Sequence, residues 1–308
     1  MAVVVVSWEA AALTQACVAR LQRQLAPGDE LVVVDNGSTD GTAEAIARTA
    51  PEARVAVLPT NTGFAGGADA GIDASTAPWV LTLNNDAWLE PGALDRLRAH
   101  ARTAEDDVAA FQPLVLFDRA GPDVVNSTGI TLMRSGGAID RDVHLARADA
   151  TGGPDVFGPT AGAALYRRAA LDDVRDAGHV FDPAFFLYFE DVDLAWRLRR
   201  RGWRTTYVPD AVARHAFQAS SRRHGDDFVA RQCMRNRLRC LVRNASWWVQ
   251  LATARRTAGE LIQLTRRERS AGLRSWLRTV GQGLAARSRL AARATVSRRD
   301  VERRWRGA

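Results

Sequence analysis

The sequence predicts an α/β fold, a mostly parallel sheet with helices on both faces, followed by a basic amphipathic helical region. Three observations carry this. Short runs that are apolar at every position alternate with segments of helical period, as expected of strands buried on both sides. Polar, glycine-containing clusters fall at 35–40, 61–67 and 84–86, each at the end of such a run. That is where open parallel sheets bind ligands. The charge is also divided: all 42 residues counted as Lys or Arg are arginine, and residues 220–308 hold 22 of them against 6 acids, while residues 1–219 hold 20 against 29. An acidic body with a basic tail seeks a polyanion.

Residues 2–7 read as the first strand, because the run has no basic lead and no small-residue cleavage site of a signal peptide. Residues 10–26 follow with helical spacing at Leu13, Cys17, Leu21 and Leu25. Glu30–Asp35 is a second strand, ending in Asp35-Asn-Gly-Ser-Thr-Asp-Gly-Thr. A helix over 42–50, a strand over Arg54–Leu58, a helix over 65–75 and a strand over Trp79–Leu83 complete the alternation. Residues 110–160 predict loops and antiparallel strands, and 155–170 a strand, turn and helix around Gly162. A helix over 190–201, a short strand at Thr205–Val208 and a polar segment over His215–His224 come next, with helix from Phe228 onward. The predicted division is a body over 1–225 and a helical region over 226–308. No stretch reaches the ~18 apolar residues that span a bilayer. Three cysteines, Cys17, Cys233 and Cys240, lack metal-type spacing and predict reduced cytosolic thiols.

The densest chemistry lies where the apolar run Phe185–Phe189 ends in Glu190, Asp191 and Asp193. A carboxylate at a dry wall is a candidate base, since the protein can tune its pKa there; a capped helix with surface acids is the competing reading. Asp191 falls at or near a helix start, and Asp193 can pair with Arg197 four residues on. Asp35 is suited to accept from a base N–H or a sugar hydroxyl, although the same residues suit a plain turn. Asn61-Thr-Gly-Phe-Ala-Gly-Gly-Ala-Asp69 feeds a helix whose N-terminus can approach a phosphate, a role that the charge of Asp69 opposes. Asn84-Asn85-Asp86 suits a hard divalent cation or a turn, and His215, if it reaches Asp86, adds a nitrogen that Mn²⁺ accepts. His179 and His224 have no such context.

In this order the pieces resemble the family 2 glycosyltransferases with the nucleotide-sugar-binding GT-A fold. The matching stretches are Val32–Thr42, Asn61–Gly67, Leu83–Asp86, Gly162–Arg168, Phe186–Arg197 and Val208–His215, and the likeness covers about residues 2–245. The branch most resembled is that of bacterial rhamnosyltransferases and galactofuranosyltransferases of cell-envelope polysaccharide synthesis. The resemblance implies an inverting, metal-dependent transfer, with rhamnose from dTDP-rhamnose as the first expectation. Galactofuranosyl or other hexosyl transfer, or a catalytically silent scaffold, are the alternatives. By the same resemblance Asp191 is the base, with Glu190, Asp193, Gly162 and Ala163 on the acceptor side. Ser7, Asp35, Asn61, Gly63, Asn84 and Asn85 would line the donor nucleotide, and Asp86 and His215 would hold Mn²⁺ or Mg²⁺. A glycan or polyprenyl-linked saccharide would be the acceptor. Departures are Asn84, where many relatives have Asp, and Glu9 and Asp69, where Asn is common.

The tail carries Arg231, Arg235, Arg239 and Arg243 as one helical stripe. Leu238, Leu241, Val242, Ala245, Trp248, Val249 and Ala252 form another face, and Leu273, Trp276, Leu277, Val280 and Leu284 repeat it. Trp with Arg on amphipathic helices suits an anionic membrane surface, here the inner face of the plasma membrane; packing on the body or a homodimer would use the same faces. Nucleic acid is not the expected partner.

Overall fold

The computed structural model describes residues 1–150, 152–216, 225–268 and 270–307; His224 lies outside them. The first half alternates as predicted: β1 (Ala2–Ser7), α1 (Ala11–Gln22), β2 (Glu30–Asp35), α2 (Thr42–Thr49), β3 (Arg54–Val57), α3 (Gly63–Asp73) and β4 (Trp79–Asn84). Along β1, Ala2 and Val4 enter one apolar cluster while Val3 and Val5 enter another, so the strand feeds a core on each face. The second half adds β5 (Ala87–Leu89), α4 (Ala93–Arg102), β6 (Val108–Phe117), β7 (Val125–Ser127), the hairpin β8–β9 (Ile130–Leu132, Ala138–Asp140), β10 (Ala163–Arg167), α5 (Arg168–Asp173), α6 (Glu190–Arg200) and β11 (Arg204–His215).

The main sheet runs β3-β2-β1-β4-β10-β6-β11-β5, with β7 on β6. The first four strands are parallel, β10 is antiparallel to both neighbours, and β6 and β11 are parallel again. β11 is longer than predicted, and β6 opens the stretch for which only loops and antiparallel strands were expected. β6 is a ten-residue buried strand through Gln112-Pro113, and β11 continues past Pro209 to His215. The register of the β6–β11 pair skips between Val208 and Val212, where Val208 faces Pro113. A bulge at that point tolerates proline without breaking the ladder.

The C-terminal helices are α7 (Asp226–Asn244), α8 (Trp247–Ala252), α9 (Ala254–Glu268), α10 (Ser270–Ala292) and α11 (Arg298–Trp305). Helix α7 packs on α6 and α10, and Cys240 and Val301 join the same apolar cluster as β1 and β2. The arginine stripe of α7 is therefore not the open surface its periodicity suggests. Arg239 and Arg243 are buried. Arg243 binds Asp193 and Asp182 at 2.8 and 2.7 Å and Asp176 at 3.0 Å. Helix α10 packs through a different face from the one that carries its leucines. Its buried side is made of small residues such as Thr279, Gly283 and Ala286, while Leu273, Leu277 and Leu284 are exposed. Trp248 is exposed together with Trp247. Among the described residues no helix is long and apolar enough to cross a membrane.

Candidate active site

The carboxyl ends of β1, β2 and β4 lie side by side, with Ser7 in register with Asp35 and Val6 with Asn84. Beyond them lies a cavity of about 290 Å³ whose wall includes Asn84, Gly162, Ala163, Glu190, Asp191 and His215. Residues scattered over 130 positions of sequence are thus brought to one site.

Asp86 is buried behind that wall and meets His215 there: His215 Nε2 is 3.1 Å from Asp86 Oδ1 and 3.3 Å from Asn84 Nδ2. His215 reaches this point because it is the last residue of β11, opposite Ala87 of β5. Its Nδ1 lies 2.9 Å from Asn126 Oδ1, which can only accept, so the network assigns the proton to Nδ1. Nε2 then offers a lone pair beside a carboxylate oxygen. Two such donors side by side need a cation or a proton between them. A mixed oxygen–nitrogen pair is a donor set that Mn²⁺ accepts. Among the described residues no group of three or more His, Cys, Asp or Glu converges on one metal position.

Asp191 sits in the first turn of α6, half-buried, after the loop of Phe185–Phe189. Its carboxylate accepts from Val192 N at 2.7 Å and from Ala161 N at 3.4 Å. Burial, and then the charge of Asp140, raise its pKa from 3.8 to about 6, against those hydrogen bonds. Glu190 is buried; burial and the Asp191 charge lift its pKa well above the usual carboxylate range. Its Oε2 has no hydrogen-bond partner among the described residues. Burial thus pushes both of these adjacent carboxyls toward their protonated forms.

Asp140, from the β8–β9 hairpin, lines the same cavity, and burial raises its pKa too. Asp140 and Asn126 were missed by the sequence reading: they belong to short strands of 110–160, and only the tertiary fold puts them beside Asp191 and His215.

Other expected site residues are occupied differently. Asp193 is fully buried and turned away from the cavity, bonded to Arg197, Arg243 and Asn244 at 2.7 to 2.8 Å; its charge anchors α6 on α7 rather than an acceptor. Ser7 Oγ and Asn85 Nδ2 both meet Thr14 Oγ1, so these side chains brace strand ends. Asn61 Oδ1 accepts from Gly63 N and Asn36 Nδ2, which shapes the glycine loop.

Several amides of that loop are already engaged within the protein. Gly63 N is taken by Asn61 and Ala65 N by Phe186 O. The glycines serve close packing. A Cβ on Gly63 would lie 2.1 Å from Phe186 O, and one on Gly67 2.5 Å from Val6. Asp69, awkward near a diphosphate, instead accepts from Val180 N at 2.7 Å and meets His179 Nδ1 at 2.6 Å, on the inner side of α3. Asp35 is buried, accepts from Ser38 N at 3.0 Å, and borders a separate open depression with Ser38 and Thr39.

This fold and this polar cleft define a glycosyltransferase of GT-A type. The chain belongs to the glycosyl transferase family 2, whose model matches residues 2–175. Over 241 residues it is 27% identical to the N-acetylglucosaminyl-diphospho-decaprenol L-rhamnosyltransferase of Mycobacterium tuberculosis, covering 71% of this chain and 76% of that protein. Over 216 residues it is 28% identical to an N-acetylglucosaminyltransferase of Rhizobium meliloti, covering 65% of this chain and 47% of that one. Its fold is similar to that of the mannosyltransferase PcManGT from Pyrobaculum calidifontis, solved with GDP-Man and Mn²⁺ (TM-score 0.55, 16% identity, 99% of this chain and 86% of that one). It is also similar to TarS 1-349 of S. aureus, solved with UDP-GlcNAc (TM-score 0.53, 15% identity, 95% and 83%).

Proposed function

We propose that this enzyme is an inverting transferase that moves L-rhamnose from dTDP-rhamnose to a polyprenyl-linked saccharide. The observation that carries the transfer mechanism is that Asp191 opens onto the same cavity as His215 and Asn84. One base faces the acceptor side, and the Asp86–His215 pair faces the leaving-group side. Asp191 takes the proton of an acceptor hydroxyl, whose oxygen attacks the anomeric carbon as the bond to the nucleoside diphosphate breaks on the opposite face. A divalent cation held by Asp86 and His215 would neutralise the charge that develops on the diphosphate. Glu190, kept neutral, donates a hydrogen bond toward the acceptor. Asp35 reads the nucleobase.

The choice of rhamnose and of a lipid-linked acceptor rests on the mycobacterial relative. The exposed apolar residues Trp247, Trp248, Leu251, Leu273 and Leu277, set among arginines, support docking on an anionic membrane surface, where such an acceptor resides.

A thermal-shift series with dTDP-, UDP- and GDP-sugars, with and without Mn²⁺, tests the donor. A ligand at 100 times its Kd stabilises by about 2.7 kcal/mol. A Mn²⁺-dependent shift with dTDP-rhamnose alone is the expected result; a shift confined to UDP-sugars would overturn the assignment of rhamnose. Cosedimentation with anionic vesicles, released by salt, is expected; equal binding to neutral vesicles would contradict the electrostatic part.

A further inference from the structure

The loop that delivers Asp191 has an unusual backbone. Phe186, Tyr188 and Phe189 have φ of 60°, 70° and 67°. Residues with a Cβ seldom adopt this region, and here three do so within four positions. Such a backbone persists only where its surroundings over-determine it.

The surroundings that do so come from α7. Asn236 is 1% exposed. Its Nδ2 lies 2.7 Å from the carbonyl oxygen of Phe185, 2.9 Å from that of Leu187 and 2.7 Å from that of Tyr188. Gln232, one turn earlier, places Nε2 2.7 Å from the Phe185 oxygen as well. From the opposite side, Ala65 N of α3 donates to Phe186 O at 3.1 Å. Every carbonyl from 185 to 188 is therefore held, three of them by one amide. These carbonyls have no strand or helix ladder to enter, and buried carbonyls must be paired. A carboxamide carries two N–H donors on one atom and can share them among three converging oxygens; Asp, Ser or Leu of similar size cannot.

We propose that Asn236 is a positioning residue for the catalytic base, fixing the 185–189 turn so that Asp191 faces the cavity. This deepens the reading of Asp191 as the base and rests on it. It also makes α7 part of the catalytic apparatus. The chain segment that carries the basic helices is tied, through one side chain, to the residue that takes the acceptor's proton.

The test uses the full chain carrying Asn236→Asp, which keeps the shape and removes the donors, with Gln232→Leu as a milder second variant. Hydrogen exchange reads the clamp without reference to activity. Amides of 185–190 are expected to exchange ~10-fold faster or more in Asn236→Asp while β1, β2 and β4 keep their protection. Kinetics read the consequence: kcat per donor-binding site falls ~10²-fold, donor Kd stays within about three-fold, and the acid limb of kcat moves. A merely structural asparagine would lower the melting temperature and leave kcat per donor-binding site and the acid limb where they were.

Unchanged exchange at 185–190 overturns the proposal, as does a loosened loop with unchanged kcat and pH limb. If Asn236→Asp does not fold, Gln232→Leu decides in the same two ways at smaller amplitude. If the parent enzyme shows no Asp191-dependent transfer, the reading of the base fails, and the exchange experiment still decides whether Asn236 holds the turn.

Discussion

At the residue scale the chemistry depends on a carboxyl that is neither fully wet nor fully dry. Asp191 titrates near 6 in the fold and near 4 in an unfolded chain. A base works ionised, so kcat/KM should fall as pH drops through about 6, which a pH–rate profile reads directly. Stability has the opposite sign. The fold prefers the protonated carboxyl, so this stabilising preference is full below pH 4 and is lost as pH rises through 6. Asp191→Asn should therefore stabilise the protein at pH 8 by on the order of 2 kcal/mol and change little at pH 3, as measured by urea unfolding. At the other wall, His215→Ala should raise the Mn²⁺ concentration needed for donor-induced stabilisation by ~10-fold or more, since it removes one of two protein donors. The abrupt end of the apolar run at Glu190 and the family resemblance pointed to Asp191, Asp86 and His215, and the fold brings the last two within 3.1 Å. The same signals left Asp193 misplaced, because Glu190-Asp-Val-Asp193 on a helix puts residues 191 and 193 on different faces, and only Arg243, fifty residues on, shows which face is filled.

At the element scale, each misjudged segment has a physical cause. The strands β1, β2 and β4 were legible because parallel strands covered on both sides must be apolar throughout. β11 was cut short at Val208, before Pro209, whereas a bulge between Val208 and Val212 carries the strand on to His215. The glycine-rich start of α3 suggested a phosphate cradle, but its room is used by Phe186, Thr62 and Val6. Gly63→Ala should accordingly disturb the base loop: it adds a Cβ 2.1 Å from Phe186 O at a φ of +71°. The expected outcome is a loss of ~2 kcal/mol or more of stability. Circular dichroism melting checks this, with donor binding as a control for folded protein. The α6–α7 seam depends on Arg243, which serves Asp176, Asp182 and Asp193 together. Arg243→Met leaves those acids without their shared cation and should cost ~3–5 kcal/mol by denaturant unfolding.

Across the whole molecule, the division between an acidic body and a basic tail proves partly internal. Arginines of the tail pair with acids of the body: Arg243 and Arg289 with Asp176, and Arg304 with Asp155. With the shared core of Cys240 and Val301, this makes α7–α11 a part of the folded unit. Removing residues 226–308 should yield aggregated protein rather than a smaller active enzyme, which expression and gel filtration would show. What the tail does not use on the body is a surface of exposed leucines and tryptophans among the remaining arginines, the surface proposed above to dock on a membrane.

The account turns on Asp191 as the base opposite the leaving diphosphate, and the most direct measurement is rhamnosyl transfer from dTDP-rhamnose to a polyprenyl-diphosphate-linked N-acetylglucosamine by the parent enzyme and by Asp191→Ala, with donor Kd measured alongside. The account predicts a loss of ~10³-fold or more in kcat with donor Kd within about three-fold. An Asp191→Ala enzyme that transfers at a near-parental rate would contradict it.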